Sequence, residues 1–341
     1  MKIAVGISGG VDSSVAAYLL KQKGHDIVGI WMNLFGDIQN SKEAEKVADY
    51  LGIELYKIDL KNEYNEIVVS YIKNEYSRGK TPNPCVMCNR GVKFGLFLEK
   101  AMSMGVEFDY FATGHYAIIE KDKQFGRYLL KKGIYSDKDQ AYFLSMLNQT
   151  QLSSILFPLG DRKKADVRKI AEDLGLFTSI SKESQDLCSG DYRDFIDNTL
   201  GPGQFVDAYG NILGQHKGLE NYTIGQRRGL GISSNTLPYY VTGIKVESNE
   251  VILGFDNDLL NKGMIVSSCN WISIEFPELP LYIDAKIRYR DKGAPAIVTQ
   301  IENDKFKVVF EEERRAVTPG QVAVFYKGNT VVGAGIIEKS F

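Results

Sequence analysis

Three short stretches hold residues whose types and spacing could do chemistry. Ser8-Gly9-Gly10-Val11-Asp12-Ser13-Ser14 joins an apolar run to an amphipathic one. Two glycines let a backbone approach a phosphate with no Cβ in the way. Loop amides and a following helix N-terminus aim partial positive charge at an anion, and Ser8, Ser13 and Ser14 add hydroxyl donors. No lysine followed by serine or threonine stands in the loop, so it is not the kinase-type phosphate loop. An isolated SGG would be a plain helix-capping turn; at the first strand–helix junction it stands where an α/β nucleotide site is built.

The second stretch, Thr81-Pro82-Asn83-Pro84-Cys85-Val86-Met87-Cys88-Asn89, carries a CxxC pair, which admits redox chemistry, metal binding or catalysis. Its two prolines stiffen the chain, so Cys88 is presented with little conformational freedom. A free thiol ionises near pH ~8.5 unless a helix N-terminus or a cation assists. Cys88 precedes a helix expected from Val92, with Arg90 and Lys93 close by, a setting that favours thiolate over a merely buried cysteine. The third stretch, Ser184-Gln185-Asp186-Leu187-Cys188-Ser189-Gly190, reads as a polar loop holding one more thiol. Cys269, beside Trp271, reads as packing.

The elements that must position these residues follow from hydrophobic spacing. Strands are expected at Ile3–Ile7, Ile27–Met32, Leu55–Leu60 and Tyr110–Thr113. Between them helices are expected near Asp12–Lys23 (stopped by Gly24), Ser41–Leu51, Tyr64–Tyr76 and Val92–Met104. This alternation predicts an α/β fold with an open, doubly wound parallel sheet. Helical character continues from Ala165 to about Ile196. After Gly201-Pro202-Gly203 the texture turns to β-branched residues and turns, with strands at Tyr239–Lys245, Val251–Leu253, Met264–Val266, Ile283–Tyr289, Ile297–Ile301 and Val308–Phe310. The expected division is an adenylation-type α/β domain over 1–200, a small connecting domain over 201–256 and a C-terminal β-barrel over 257–341.

The 341 residues are 44% hydrophobic and 25% charged, a balance that supplies ample core and no run of the ~20 apolar residues a membrane span needs. A cytoplasmic location is expected. Four cysteines in so long a chain are not a disulfide framework. The net charge of −2 announces no nucleic-acid binder, so any RNA contact must use local basic patches. Candidates are Arg162-Lys163-Lys164 with Arg168 and Lys169, Arg227-Arg228, the Lys286/Arg288/Arg290/Lys292 ladder, and Arg314-Arg315.

Read together, the motifs resemble the tRNA-specific 2-thiouridylase family, within the pyrophosphate-loop enzymes that split ATP into AMP and pyrophosphate. The resemblance runs along essentially the whole chain. It rests on SGGVDSS, TPNPCVMCNRGVKF (81–94), ATGHYA (112–117), KDQAYFL (138–144), DVRKIAEDLGL (166–176), SQDLCSGDYRDFI (184–196), YTIGQRRGLGI (222–232) and KIRYR (286–290). It implies that ATP contacts Gly6, Ile7, Ser8, Gly9, Gly10, Val11, Asp12 and Ser13, with Met32 and Gly114 near the nucleoside and Asp12 beside a magnesium ion. It implies Cys88 as nucleophile and Cys188 as persulfide carrier. Asn83, Pro84 and Cys85 fall where the family meets the target base, and His115, Lys138, Asp139, Gln140, Arg288, Tyr289 and Gln321 where it meets tRNA.

The chemistry so implied is adenylation of the wobble uridine at O2, then attack at C2 by sulfur from Cys188, as persulfide or as sulfide released by Cys88. The sulfur comes from a cysteine desulfurase or a relay of carriers, and the enzyme is expected to act as a monomer. Three departures stand out: Cys85 where the family commonly has Asp, a short segment after Cys188, and Ile118 where arginine is common. The first opens an alternative, a [4Fe-4S] cluster on Cys85, Cys88 and Cys188 with one iron open for sulfide. Two other readings are a pyrophosphate-loop synthetase acting on a small molecule, which needs neither Cys88 nor Cys188, and a non-catalytic RNA or nucleotide binder.

Overall fold

A computed structural model describes residues 1–36, 41–135, 138–176, 195–196, 201–233 and 237–341. The chain opens with β1 (Lys2–Gly6), α1 (Val11–Gln22), β2 (Asp26–Asn33), α2 (Lys42–Leu51) and β3 (Leu55–Asp59). Gly24, with φ +79°, follows the end of α1, and Gly52 closes α2 in the left-handed conformation; both positions suit a residue without a Cβ. Next come α3 (Lys61–Tyr64), a wide π-turn at Asn65–Val69 and α4 (Ser70–Ser77), which form the helical stretch expected at Tyr64–Tyr76.

The cysteine segment departs from expectation. Its helix starts at Pro84, not Val92: α5 (Pro84–Met87) runs into a π-helical stretch at Cys88–Leu96 and then α6 (Phe97–Ser103). Asn83 caps α5 by accepting from the Val86 amide at 3.3 Å, and Pro84 takes the first helical position, where its missing N–H costs nothing. Proline read as a loop stiffener is here a helix starter.

The chain continues through β4 (Tyr110–Ala112), the hairpin β5 (Ala117–Lys121) and β6 (Tyr128–Lys132), α7 (Ala141–Leu144), α8 (Gln149–Ser153), β7 (Ile155–Leu156) and α9 (Lys164–Asp173). Five parallel strands form one sheet in the order β3-β2-β1-β4-β7. Alternate residues face opposite sides. Ile3, Val5, Ile27 and Trp31 pack with Ala17, Leu20 and the Ala44/Val47/Leu51 stripe of α2, whereas Ala4, Val28 and Ile30 pack with Val68, Ile72, Phe97 and Ala101. Helices cover both faces, the doubly wound arrangement the alternation predicted.

Beyond it, β8 (Gly203–Val206), β9 (Ile212–His216), β10 (Tyr240–Lys245) and β11 (Glu250–Gly254) form a second sheet in the order β10-β11-β8-β9, around Phe205, Tyr222, Val241 and Val251. The last strands are β12 (Leu260–Trp271), β13 (Leu281–Lys286), β14 (Ala294–Glu302), β15 (Lys305–Arg315), β16 (Val322–Lys327) and β17 (Thr330–Ser340). Their order β12-β15-β14-β13-β16-β17 closes through β12–β17 pairing into a six-stranded antiparallel barrel filled by residues such as Met264, Phe306 and Phe325.

Two features of this half were not legible. The strand expected to reach Tyr289 ends at Lys286, because Asp291 accepts from the Ile287 amide at 3.1 Å and bends the chain into a turn. The β5–β6 hairpin, far earlier in sequence, extends the barrel sheet through Thr330 and Lys131 on β17 and β6. Barrel residues Val322, Val324, Tyr326 and Val331 share one core with Leu130, Tyr142 and Leu144, and the Tyr142 hydroxyl donates to Val322 O at 2.8 Å.

Candidate functional site

From β1 the sheet builds outward through β2 and β3, then returns to place β4 on the other side of β1. Ligands of open α/β sheets bind in the crevice beyond the strand ends at such a reversal. A cavity of about 460 Å³ lies there, within the range of roughly 300–1,000 Å³ usual for small-molecule sites. Gly6, Ile7 and Ser8 line it from the end of β1, Asp12 and Ser13 from the head of α1, and Met32 from β2. Thr113, Gly114 and His115 complete it after β4.

The loop over this cavity braces itself. Ser8 N donates to Ser13 Oγ at 3.2 Å, and Ser13 Oγ and Ser14 Oγ both donate to Gly10 O, at 3.0 and 2.9 Å. Gly9, Gly10 and Val11 do not line the cavity. Gly9 has φ +83° and lies so close to α2 that a Cβ would stand 2.6 Å from Glu43 Cβ, and Val11 is buried between α1 and α9 with Leu159 and Val167. Gly114 presses on the head of α1: a Cβ there would meet the Asp12 carbonyl carbon at 2.6 Å.

Asp12 is the one carboxylate on the lining among the described residues. Its Oδ1 accepts from the Tyr116 hydroxyl at 2.7 Å, and Lys164 Nζ lies 2.6 Å from both oxygens. Lys164 therefore leaves the basic patch in which the sequence grouped it and turns inward, its side chain only 12% exposed. Nothing in the linear pattern flagged this pair, whose members lie 152 residues apart.

The residues expected at tRNA divide in the same way. His115 lines the cavity, its Nδ1 2.6 Å from Thr113 Oγ1 and its ring against Phe94 and Phe157. Burial, and secondarily the Lys93 charge, push its pKa well below the ordinary histidine value, so it stays neutral near pH 7. Gln140 also lines the cavity, its Oε1 accepting from the Tyr116 amide at 3.0 Å. Asp139 is buried, accepting from Gly133 N and Ala141 N, each at 3.1 Å; burial raises its pKa against the pull of those two bonds. Lys138 stays half-exposed. Asp139 thus turns away from solvent to accept at the start of α7, whereas Gln140 turns to the Tyr116 amide at the cavity.

Cys88 is buried where α5 passes into the π-helical stretch, and Cys85, half-buried, stands about one turn earlier. Five residues on, roughly 8 Å along the axis, the same helix supplies Lys93 to the cavity wall, and Phe97 joins it from α6, beyond a kink at Phe94 and Gly95. Asn89 ties this helix to α7 by donating to Phe143 O at 3.0 Å. Cys188 lies outside the described residues. Among the described residues no group of three His, Cys, Asp or Glu side chains could hold a metal ion. Cys269 sits in the barrel, where burial and Asp304 push its thiol up to about 12, out of reach of nucleophilic chemistry near neutrality.

Toward solvent, Arg288, Arg290 and Lys292 are exposed on the turn after β13, and Arg227 and Arg228 on a loop of the middle domain. Lys286 is half-buried, its pKa lowered by burial. Tyr289 packs its ring 4.5 Å from that of Phe143. Arg314 pairs with buried Asp291, and Arg315 with Asp256 at 2.8 Å, so both are partly spent within the protein. Asn83 and Pro84 begin α5, and Gln321 reaches the two residues before them from the barrel, donating to Thr81 O and Pro82 O.

Comparison with known proteins matches three family models along the chain. The tRNA methyl transferase HUP domain model matches residues 1–190, the tRNA methyl transferase PRC-barrel domain residues 193–255, and the aminomethyltransferase beta-barrel domain residues 261–337. A tRNA-specific 2-thiouridylase MnmA 2 from Thermoanaerobacter sp. (strain X514) is 46% identical, over 99% of this chain and 98% of that protein. The tRNA-specific 2-thiouridylase MnmA of Clostridioides difficile (strain 630) is 45% identical with the same coverage. Among solved structures, a 4-thiouridine synthetase in complex with RNA and bound ATP covers 55% of this chain and 44% of its own, at 17% identity and a TM-score of 0.39, too remote to bear on the site. With relatives aligned along nearly its full length, this chain belongs to the tRNA-specific 2-thiouridylase family.

Proposed function

We infer that this chain is a tRNA 2-thiouridylase, using ATP to activate O2 of the wobble uridine and replacing that oxygen with cysteine-borne sulfur. One observation carries the reading: the helix that bears Cys88 runs on into the wall of a nucleotide-sized cavity at the sheet's reversal point. The relatives' names supply the substrate class.

In this reading ATP takes the cavity, its phosphates beside Ser8, Asp12 and Ser13 and its nucleoside toward Met32 and Gly114. Asp12 would hold a magnesium ion, which screens phosphate charge when bound; the carboxylate fits that task, since it faces the cavity and is one-third exposed. Uridine O2 attacks the α-phosphorus, pyrophosphate leaves, and the oxygen becomes part of an AMP leaving group. The terminal sulfur of a Cys188 persulfide attacks C2 and AMP departs. Cys88 thiolate then attacks the Cys188 sulfur, forming a Cys88–Cys188 disulfide and leaving the transferred sulfur on C2. The base must leave its stack to be reached, with Asn83, Pro84 and Cys85 beside it. A neutral His115 and Gln140 shape the nucleotide side. Arg288 and Tyr289, with Lys138, face the RNA backbone.

The parts divide the work: residues 1–200 carry out adenylation and sulfur transfer, 201–256 connect, and 257–341 hold tRNA. The enzyme acts as a cytoplasmic monomer supplied with sulfur by a cysteine desulfurase or a carrier protein. The test is single-turnover assay with ATP, a labelled persulfide donor and a wobble-uridine tRNA transcript, read by nucleoside mass analysis. Cys88→Ser and Cys188→Ser should each abolish 2-thiouridine while ATP-dependent adenylation persists. Full thiolation by Cys88→Ser would refute the reading.

A further inference from the structure

The segment that leads to the thiols is held from outside its own domain. Pro82 and Pro84 have no amide hydrogen, so the stretch before α5 offers few donors with which to fix itself. The barrel supplies them. Gln321, just before β16, points Nε2 at two successive carbonyls, Thr81 O at 3.0 Å and Pro82 O at 3.1 Å. Two acceptors on one terminus require the NH2 side of the amide there, and both of its hydrogens are used. Thr81 N in turn donates to Pro319 O at 2.9 Å. Gly320, with φ +89°, lies so close that a Cβ would stand 2.9 Å from N, C and O of Thr81. On either side, Lys80 pairs with Glu338 of β17 at 2.6 Å and Thr81 Oγ1 donates to Thr223 Oγ1 of the middle domain at 3.2 Å. Immediately after the clamp Asn83 caps α5, on which Cys85 follows, with Cys88 at its end.

We propose that Gln321 is a positioning residue for sulfur transfer: by gripping the Thr81 and Pro82 carbonyls it sets the start of α5 and with it the placement of Cys88. The barrel is then part of the thiol-presenting apparatus and not only a platform for RNA. The proposal rests on the function inferred above, but its grip on Cys88 is measurable without tRNA or ATP.

The experiment compares wild type with Gln321→Met, which keeps the length and removes both donors. Iodoacetamide labelling of Cys88 is followed by peptide mass spectrometry across pH 6–9, with fragmentation separating it from Cys85. Alongside it are measured tRNA affinity, kcat and KM for 2-thiouridine formation, and thermal melting. Loss of the clamp should change the Cys88 labelling rate at least about three-fold and displace its pH profile. It should also lower kcat by about 10- to 100-fold, the scale on which a displacement near 1 Å acts. Should Gln321→Met fail to fold, Gln321→Asn, which keeps the amide but draws it back by one methylene, is read by the same measures. Unchanged Cys88 labelling together with a ten-fold loss of tRNA affinity would make Gln321 an RNA contact and overturn the proposal. If labelling shifts in the variant while wild type forms no 2-thiouridine, the enzymatic reading falls, and the sulfur-transfer role with it, though the grip on Cys88 stands.

Discussion

Gly114→Ala probes the cavity at the sheet's reversal point, the site proposed for ATP, through packing alone. Gly114 lies in the loop after β4, and a Cβ added there would stand 2.6 Å from the Asp12 carbonyl carbon and 2.8 Å from its Cβ and O. Ordinary contact begins near 3.4 Å, so the loop or the first turn of α1 must move by about 0.8 Å. Both are backbone, and neither yields by a rotamer change. Overpacking of this kind costs about 1–3 kcal/mol, and a shift near 1 Å at a reacting centre can cost about 100-fold in rate. Gly10→Ala is the control. Gly10 has φ −87° and ψ 164°, open to any residue, and its Cβ would meet only Ser8 Oγ at 3.4 Å. It should leave melting within the ~0.5 kcal/mol of an unstrained surface change, so any loss of ATP binding reports an approaching phosphate. Thermal unfolding with and without ATP, and pyrophosphate exchange, separate the two. Gly114→Ala with wild-type melting and wild-type exchange would refute the reasoning.

Further outcomes follow from single contacts. Lys164→Met strips Asp12 of its ion pair, whose lysine is mostly buried and whose carboxylate is one-third exposed; a loss of about 1–2 kcal/mol, between surface and buried pairs, is expected in denaturant melts. The same variant should reach half-maximal activity at a lower magnesium concentration, because the competing cation is gone. His115 has a folded pKa below its ordinary value, so as pH falls below about 6.5 the unfolded chain takes up a proton that the folded chain refuses. Stability should therefore drop with acid by up to about 1.4 kcal/mol per pH unit until the folded pKa is reached, and His115→Gln should lack that component. Asp139→Ala leaves the Gly133 and Ala141 amides without their acceptor and should cost about 2–4 kcal/mol, whereas Asp139→Asn, which keeps an acceptor oxygen, should cost far less. If Arg288 meets a phosphate, Arg288→Ala will reduce the log–log salt slope of tRNA binding by about 0.7–0.9; an unchanged slope would place that charge in solvent.

What was readable in advance was whatever sequence-local physics controls. The parallel strands and their helices followed from apolar spacing, and Gly24 and Gly52 marked helix ends because only a residue without a Cβ takes the left-handed turn cheaply. SGGVDSS announced the cavity. The cysteine helix starts two turns before Val92, since Pro84 is compatible with both a stiff loop and a first helical position, and only the Asn83 cap decides between them. The strand expected over Ile283–Tyr289 would carry both Lys286 and Arg288, but Asp291 bends the chain into a turn after Lys286.

The motifs of this chain by themselves determined its family, its α/β sheet followed by β modules, and a glycine loop at the first strand–helix junction, because periodicity and glycine placement are properties of neighbouring residues. Tertiary structure alone decided which polar side chains face inward and what they meet. Lys164 meets Asp12 across 152 positions and Gln321 meets Thr81 across 240. Such pairs form because a buried donor or acceptor left unpaired costs free energy, and its partner is whatever the fold brings near, at any distance along the chain.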